Sequence, residues 1–165
     1  MPHPISLLGA CHTAISVLTF AAGAYAFARY RRIDPAHKSG QGYEAGMVLS
    51  VVTSFGLSST GGFNVGHALG ILALLALLSA RLLPRMTFLG GARAYLAQLA
   101  YTFSFFLLLV PGINETLTRL PASHPLASGP ESPLVRGALA SWLGIFVLGA
   151  IVQTWWLRTQ RKRAQ

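Results

Sequence analysis

Residues 61–83, with the sequence GGFNVGHALGILALLALLSARLL, decide how this chain must fold. A Gly-Gly-Phe-Asn break is followed by about 19 mainly apolar residues, and a helix of that length crosses a hydrocarbon core of about 30 Å. His67 lies just inside this run, between Gly66 and Gly70. Small residues four positions apart let another helix approach closely. The stretch therefore predicts a membrane-spanning helix with a close helical neighbour.

The composition also points to a bilayer. Of the 165 residues, 53% are hydrophobic and 10% are charged, whereas soluble domains carry roughly 25% charged residues. The net charge of +9 comes from 13 Lys and Arg against 4 Asp and Glu. The basic residues lie between and after the apolar runs, a pattern typical of membrane topology and anionic headgroups. We therefore expect the lipid bilayer as a partner and no nucleic acid.

Five apolar runs predict an all-α, single-domain membrane bundle of about five transmembrane helices. The predicted spans are residues 5–28, 41–60, 65–83, 94–110 and 134–157. The stretch 111–133 contains several prolines, which oppose a long helix, and is predicted to be an external loop. The basic residues 158–165 are predicted to form a solvated tail.

The distribution of basic residues predicts the orientation. Three clusters of basic residues lie at the ends of the first, third and fifth spans: Arg29, Arg31, Arg32 and Lys38; Arg81, Arg85 and Arg93; and Arg158, Arg161, Lys162 and Arg163. Two arginines, Arg119 and Arg136, lie on the other side. Because basic loops stay in the cytoplasm, the N-terminus is predicted outside and the C-terminus inside. An odd number of spans likewise requires the two termini to lie on opposite sides.

Two histidines are the candidate cofactor ligands. His12 and His67 both lie roughly 8–10 Å outward of the membrane midplane, on separate predicted spans. Two imidazoles at one depth would suit a haem b or a metal, so we hypothesise that they face one another. The alternative is that each hydrogen-bonds a neighbouring Ser, Thr or carbonyl group and holds the bundle together.

Other small and polar residues are candidates for helix packing and for a polar network. The packing candidates combine glycines with hydroxyl residues at helical spacing: Gly23, Gly46, Gly66, Gly70, Ser16 and Thr19. In the fourth span, Tyr95 and Gln98 share one face, and Gln98 should bond across helices. Glu115 and Arg119 are four residues apart and would pair if that stretch is helical.

Motifs of common enzymes are missing from the chain. It contains no P-loop, no G-x-G-x-x-G after a strand, no H-E-x-x-H, no C-x-x-C and no G-x-S-x-G. Carboxylates are also scarce, which argues against paired acid–base catalysis. The sequence therefore predicts a protein that is not an enzyme.

A family resemblance covers residues 7–100. It rests on His12 and Gly23, the basic loop before Tyr43, and Gly66-His67 ahead of a leucine run. In this order they resemble a family of small bacterial multi-pass membrane proteins defined only as a domain of unknown function. The resemblance implies a bacterial inner (cytoplasmic) membrane and no activity. Relatives often have a further His before the fourth span, where this chain reads Phe-Leu-Gly-Gly.

Three function classes follow from these features. The first is a non-enzymatic accessory or assembly subunit that packs against another membrane protein or forms a homo-oligomer. The second is a haem- or quinone-binding electron-transfer protein that uses His12 and His67. The third, a small-solute transporter, ranks last because we find no inverted repeat in the sequence.

Overall fold

The computed structural model describes residues 6–57 and 62–163, and it shows five helices with no strand in those ranges. The helices are α1 (Leu7–Tyr30), α2 (Lys38–Ser54), α3 (Val65–Leu82), α4 (Ala92–Arg119) and α5 (Pro133–Arg163). Short 3-10 helices follow α2 at Phe55–Leu57 and connect α3 to α4 at Leu83–Arg85 and Thr87–Leu89. The predicted all-α bundle is confirmed.

Four of the helices are long and apolar enough to cross a membrane. These segments are Leu7–Tyr30, Val65–Arg85, Ala92–Arg119 and Pro133–Gln160. α2 is not among them, because it has only 17 residues and is about 26 Å long. The second predicted span extended to residue 60, but α2 ends at Ser54 and residues 58–60 lie outside the described part. The bundle has the character of an integral membrane protein.

α1 and α2 form a tight antiparallel pair. Their contacts run in opposite directions along the two helices, from the His12–Thr53 hydrogen bond through Ser16–Ser50 to the approach of Thr19 to Gly46. A Cβ placed on Gly46 would overlap the Thr19 hydroxyl, so only glycine permits this separation. The helices are brought this close by small residues rather than by large apolar side chains.

Local hydrogen bonds mark where the first two helices end and begin. The Ser6 hydroxyl caps α1 by accepting the Gly9 N–H at 3.0 Å. α1 ends at Tyr30 and is capped by Arg31, whose backbone is left-handed (φ 62°) and whose N–H donates to the Phe27 carbonyl. In the first turn of α2, Gly40 lies against the backbone carbonyl of Asp34, where a side chain would not fit. These contacts shape the compact turn between the two helices.

The core lies where α1, α2, α3 and α4 meet. Its buried apolar side chains include Met47 and Tyr43 from α2, Leu77 from α3 and Phe105 from α4. α5 packs mainly on α4, with Trp142 stacked on Phe106. α5 thus lies at the edge of the bundle rather than at its centre.

The predicted end of the fourth helix at residue 110 is wrong. α4 continues through Pro111 and ends at Arg119, so the predicted loop 111–133 begins nine residues too early. A proline removes one backbone hydrogen bond but does not have to end a helix when the following turn is well bonded. Here the Thr116 and Thr118 hydroxyls bond back to the carbonyls of Gly112 and Asn114.

The chain after α4 is also more ordered than the proline content indicates. The Ala127 N–H donates to the Leu117 carbonyl at 2.9 Å, which folds the loop back along the last turns of α4. Ala127 is buried as a result. Beyond residue 157, the predicted tail is still helical, because α5 continues to Arg163.

Candidate functional site

Both candidate histidines contact the end of α2. The His12 Nδ1 lies 2.9 Å from the Thr53 hydroxyl. The His67 Nε2 lies 3.1 Å from the carbonyl oxygen of Ser54, the next residue along the chain. The two helices that carry the histidines are therefore tied to the same turn of α2, although the described contacts include no hydrogen bond between the two imidazoles.

The bonding of His67 does not fit haem ligation. A carbonyl oxygen can only accept, so Nε2 must carry the proton that it donates to Ser54. The other ring nitrogen, Nδ1, accepts the backbone N–H of Asn64 at 3.2 Å, which completes a capping box at the start of α3. Neither nitrogen keeps a lone pair for iron. Within the described ranges, no group of three or more His, Cys, Asp or Glu side chains could hold a metal ion.

The geometry instead fits a structural role for His67. Its side chain is buried, and its ring stacks on Phe55 with centroids 4.7 Å apart. The ring thus joins the cap of α3, the end of α2 and an aromatic contact in one place. This is the hydrogen-bonded alternative that the sequence left open.

Most of the predicted packing residues are used inside the bundle. A Cβ on Gly23 would meet Phe105 and Tyr43, and one on Gly70 would meet Val51 of α2 at 3.1 Å. Ser16 bonds Ser50 across the α1–α2 pair, while Thr19 is almost fully buried against Gly46. Gly66 differs, because a Cβ there would meet only Asn64 of its own helix cap. The Gly66–Gly70 pair is therefore not one continuous helix-packing face.

The four residues of the predicted polar network do not come together. Glu115 pairs with Arg119 along α4, as their spacing predicts. The Gln98 Oε1 is buried and accepts no hydrogen bond within the described part of the chain, so the expected cross-helix bond is not formed there. Tyr95 lines a cavity of about 550 Å³ together with Arg93 and Leu157.

A different glutamine makes the cross-helix connection. Gln153 of α5 accepts a hydrogen bond from the Thr102 hydroxyl at 2.7 Å. Its amide nitrogen donates to the carbonyl of Arg31, at the end of α1, at 3.2 Å. One buried side chain therefore ties α5 both to α4 and to the turn after α1.

Sequence reasoning missed the main charged cluster of the bundle. The Arg81 guanidinium of α3 donates to both carboxylate oxygens of Glu44 of α2, through Nε at 2.7 Å and Nη2 at 2.6 Å. The Tyr101 hydroxyl of α4 donates to the same carboxylate at 2.5 Å. The carboxylate is mostly shielded, with the Glu44 side chain 12% exposed against 51% for Arg81.

A signal for this cluster was present in the sequence. Glu44 is the one acidic residue inside any of the five predicted spans. A carboxylate in such a segment needs a cation or several donors to offset its desolvation. Its partners could not be found by spacing, because Arg81 and Tyr101 are 37 and 57 residues away.

A second feature missed from the sequence is the outer face of α5. Gly137, Ser141 and Gly144 lie on one side of this helix and are exposed. A Cβ at either glycine would meet nothing within 4 Å in the described chain. The opposite side holds Val135, which is fully buried, and Trp142, whose indole N–H donates to the Phe106 carbonyl at 3.0 Å. We refer to Gly137, Ser141 and Gly144 as the small-residue face of α5.

The fold and these contacts define a helical bundle of membrane type, stabilised by buried polar groups. Comparisons of the chain with family models, with curated proteins and with solved structures find no match.

Proposed function

We propose that this protein is a non-enzymatic accessory or assembly subunit of the bacterial inner (cytoplasmic) membrane. In this proposal it binds a transmembrane helix of another membrane protein through the small-residue face of α5. The observation that carries the proposal is the exposure of Gly137, Ser141 and Gly144 on the helix least covered by the rest of the bundle. The family resemblance supports the bacterial membrane setting.

Helix packing in lipid favours small residues at the contact between two helices. Lipid chains are as apolar as leucine, so transmembrane helices associate by close van der Waals contact rather than by the hydrophobic effect. Glycine and serine at spacings of three and four residues remove the side chains that would hold two backbones apart. The small-residue face of α5 has this spacing and has no packing partner within the described chain.

The rest of the bundle supports α5 as the binding element. Gly23, Gly46 and Gly70 already pack against neighbouring helices of the same chain. These three glycines serve contacts within the bundle. The electron-transfer alternative has less support, since both ring nitrogens of His67 are engaged in hydrogen bonds.

The test is the size of the complex that carries the protein in its native membrane. The tagged chain is extracted in a mild detergent, and its mass is measured by native electrophoresis and light scattering. We expect a complex larger than the 17.6 kDa chain that contains a second, different polypeptide. Gly144→Ile places a branched side chain on the small-residue face and should release the chain from this complex.

Gly149→Ile is the matched control. Gly149 is also exposed on α5 and has open space around it, but it lies on another side of the helix. The control should keep the complex. A chain that is monomeric on gentle extraction, a complex made only of copies of this chain, or a Gly144→Ile variant that remains in the complex would each contradict the proposal.

A further inference from the structure

An open groove of about 320 Å³ separates α2 from α3 on the surface of the bundle. Glu44 and Arg81 line it together with apolar side chains that include Val48, Leu74 and Leu78. Val48 and Leu78 are exposed, so the apolar part of the groove is accessible from the side of the bundle. The groove is separate from the small-residue face of α5.

The groove has a charged end and an apolar wall, in the same order as the headgroup and the acyl chains of a phospholipid. α3 ends at Leu82, so Arg81 lies at the end of the bundle where α2 begins, and we take this end to be near the membrane face. Val48 lies about 6 Å further along α2 than Glu44, and Leu74 lies about 10 Å back along α3 from Arg81. The charged groups are therefore near the membrane face and the apolar wall extends toward the middle. A lipid enters such a groove with its headgroup at the charged end.

The charges at this end select the type of headgroup. Arg81 uses two of its five N–H donors on Glu44, and its side chain is half exposed. The remaining donors can bind a phosphate. The Glu44 carboxylate neutralises the arginine but retains unused lone pairs, since its Oε2 accepts one described hydrogen bond. The Arg81–Glu44 pair therefore has no net charge and offers a cation with free N–H donors beside an anion that can accept a hydrogen bond.

A zwitterionic headgroup with a primary ammonium matches this pair best. A singly anionic lipid brings a phosphate but no cation for the Glu44 carboxylate, so it gains less there. A choline headgroup brings a positive charge without an N–H donor. An ethanolamine headgroup brings both a phosphate for Arg81 and a hydrogen-bonding ammonium for Glu44.

We propose that the α2–α3 groove is a binding site for one phosphatidylethanolamine molecule. Its phosphate contacts Arg81, its ammonium contacts Glu44, and one acyl chain lies along Val48, Leu74 and Leu78. The lipid fills the open groove between α2 and α3. The proposal does not depend on the partner protein proposed for α5.

The experiment is a competition between lipids. The full chain is purified in a mild detergent, stripped of lipid, and mixed with equal amounts of phosphatidylethanolamine, phosphatidylcholine and phosphatidylglycerol with identical acyl chains. Native mass spectrometry then counts the lipids that stay bound. We expect one phosphatidylethanolamine adduct, preferred about tenfold over each competitor, the ratio expected from one charge-assisted hydrogen bond.

Two tryptophan variants locate the site. Val48→Trp fills the apolar part of the groove and leaves both charged residues in the chain, and it should abolish the preference. Val52→Trp is the matched control, because Val52 is equally apolar, exposed and one turn further along α2, outside the groove. It should keep the preference. Equal binding of the three lipids, a preference for phosphatidylglycerol, or a preference that survives in Val48→Trp would overturn the proposal, and so would its loss in Val52→Trp.

Discussion

At the scale of single residues, His67 and His12 differ in how many hydrogen-bonding groups would lose a partner if the histidine were replaced. His67 has a hydrogen-bond partner at each ring nitrogen, and both partners are backbone groups, the Asn64 N–H and the Ser54 carbonyl. His12 bonds the hydroxyl of Thr53, which also donates to the carbonyls of Leu49 and Ser50. Loss of His12 therefore leaves its partner bonded, whereas loss of His67 leaves two backbone groups unpaired.

This difference predicts unequal effects of matched substitutions. His67→Leu should lower the free energy of unfolding by about 1–3 kcal/mol, because two partly buried backbone groups lose their hydrogen-bond partner. His12→Leu should cost less than about 1 kcal/mol. Both values can be measured by reversible unfolding in mixed micelles. A His12→Leu variant that is as unstable as His67→Leu would contradict this account of the site.

At the scale of secondary structure, the α1–α2 pair depends on the absence of a side chain at one position. Gly46 approaches Thr19 so closely that a Cβ would overlap the threonine hydroxyl. Thr19 cannot move away easily, because it is buried and its hydroxyl donates to the Ile15 carbonyl at 2.7 Å. The separation of the two helices is thus set by this contact.

Two glycines of α2, Gly46 and Gly42, provide a matched pair of substitutions. Gly46→Ala should destabilise the protein by about 1–3 kcal/mol through overpacking. Gly42→Ala, in the same helix with nothing within 4 Å of the new Cβ, should stabilise it by about 0.5–1 kcal/mol through helix propensity. Thermal unfolding in detergent compares the two. Opposite signs are expected, and equal effects would show that the α1–α2 contact is not tight.

At the scale of the whole molecule, the short helix α2 decides the topology. It packs along α1 from His12 to Gly23 and also contacts α3, so we expect it to cross the membrane with them despite its 17 residues. Five crossings would put the two termini on opposite sides, and the basic loops predict that the N-terminus is outside and the C-terminus in the cytoplasm. If α2 did not cross, both termini would lie on one side.

Reporter fusions test this directly. Fusions after Lys38, Arg93 and Gln165 should report a cytoplasmic location, and a fusion within residues 122–132 should report an external one. The decisive comparison is between Lys38 and a fusion near Phe63, because α2 lies between these positions. Opposite locations are expected. The same location at both would mean that α2 lies within one membrane face.

The class of the fold and the approximate positions of its helices could be predicted from the sequence. Run length and hydrophobicity are properties of consecutive residues, so residues 65–83 predict α3 to within one residue of its observed end. The prediction failed after Pro111, where threonine back-bonding and the Glu115–Arg119 pair continue the helix. A rule based on proline alone does not include these i to i+4 contacts.

The pairing of the polar groups could not be predicted from the sequence and is seen in the folded bundle. Glu44 is visible in the sequence as a carboxylate in a predicted span, but its partners come from two other helices. His67 is likewise visible, while its bond to Ser54 depends on how α2 and α3 meet. Helical periodicity gives the face on which a residue lies, and not which helix that face meets. Which side chains pair across helices depends on the packing of the whole bundle. The same packing puts Gly46 inside the bundle and the small-residue face of α5 on its surface.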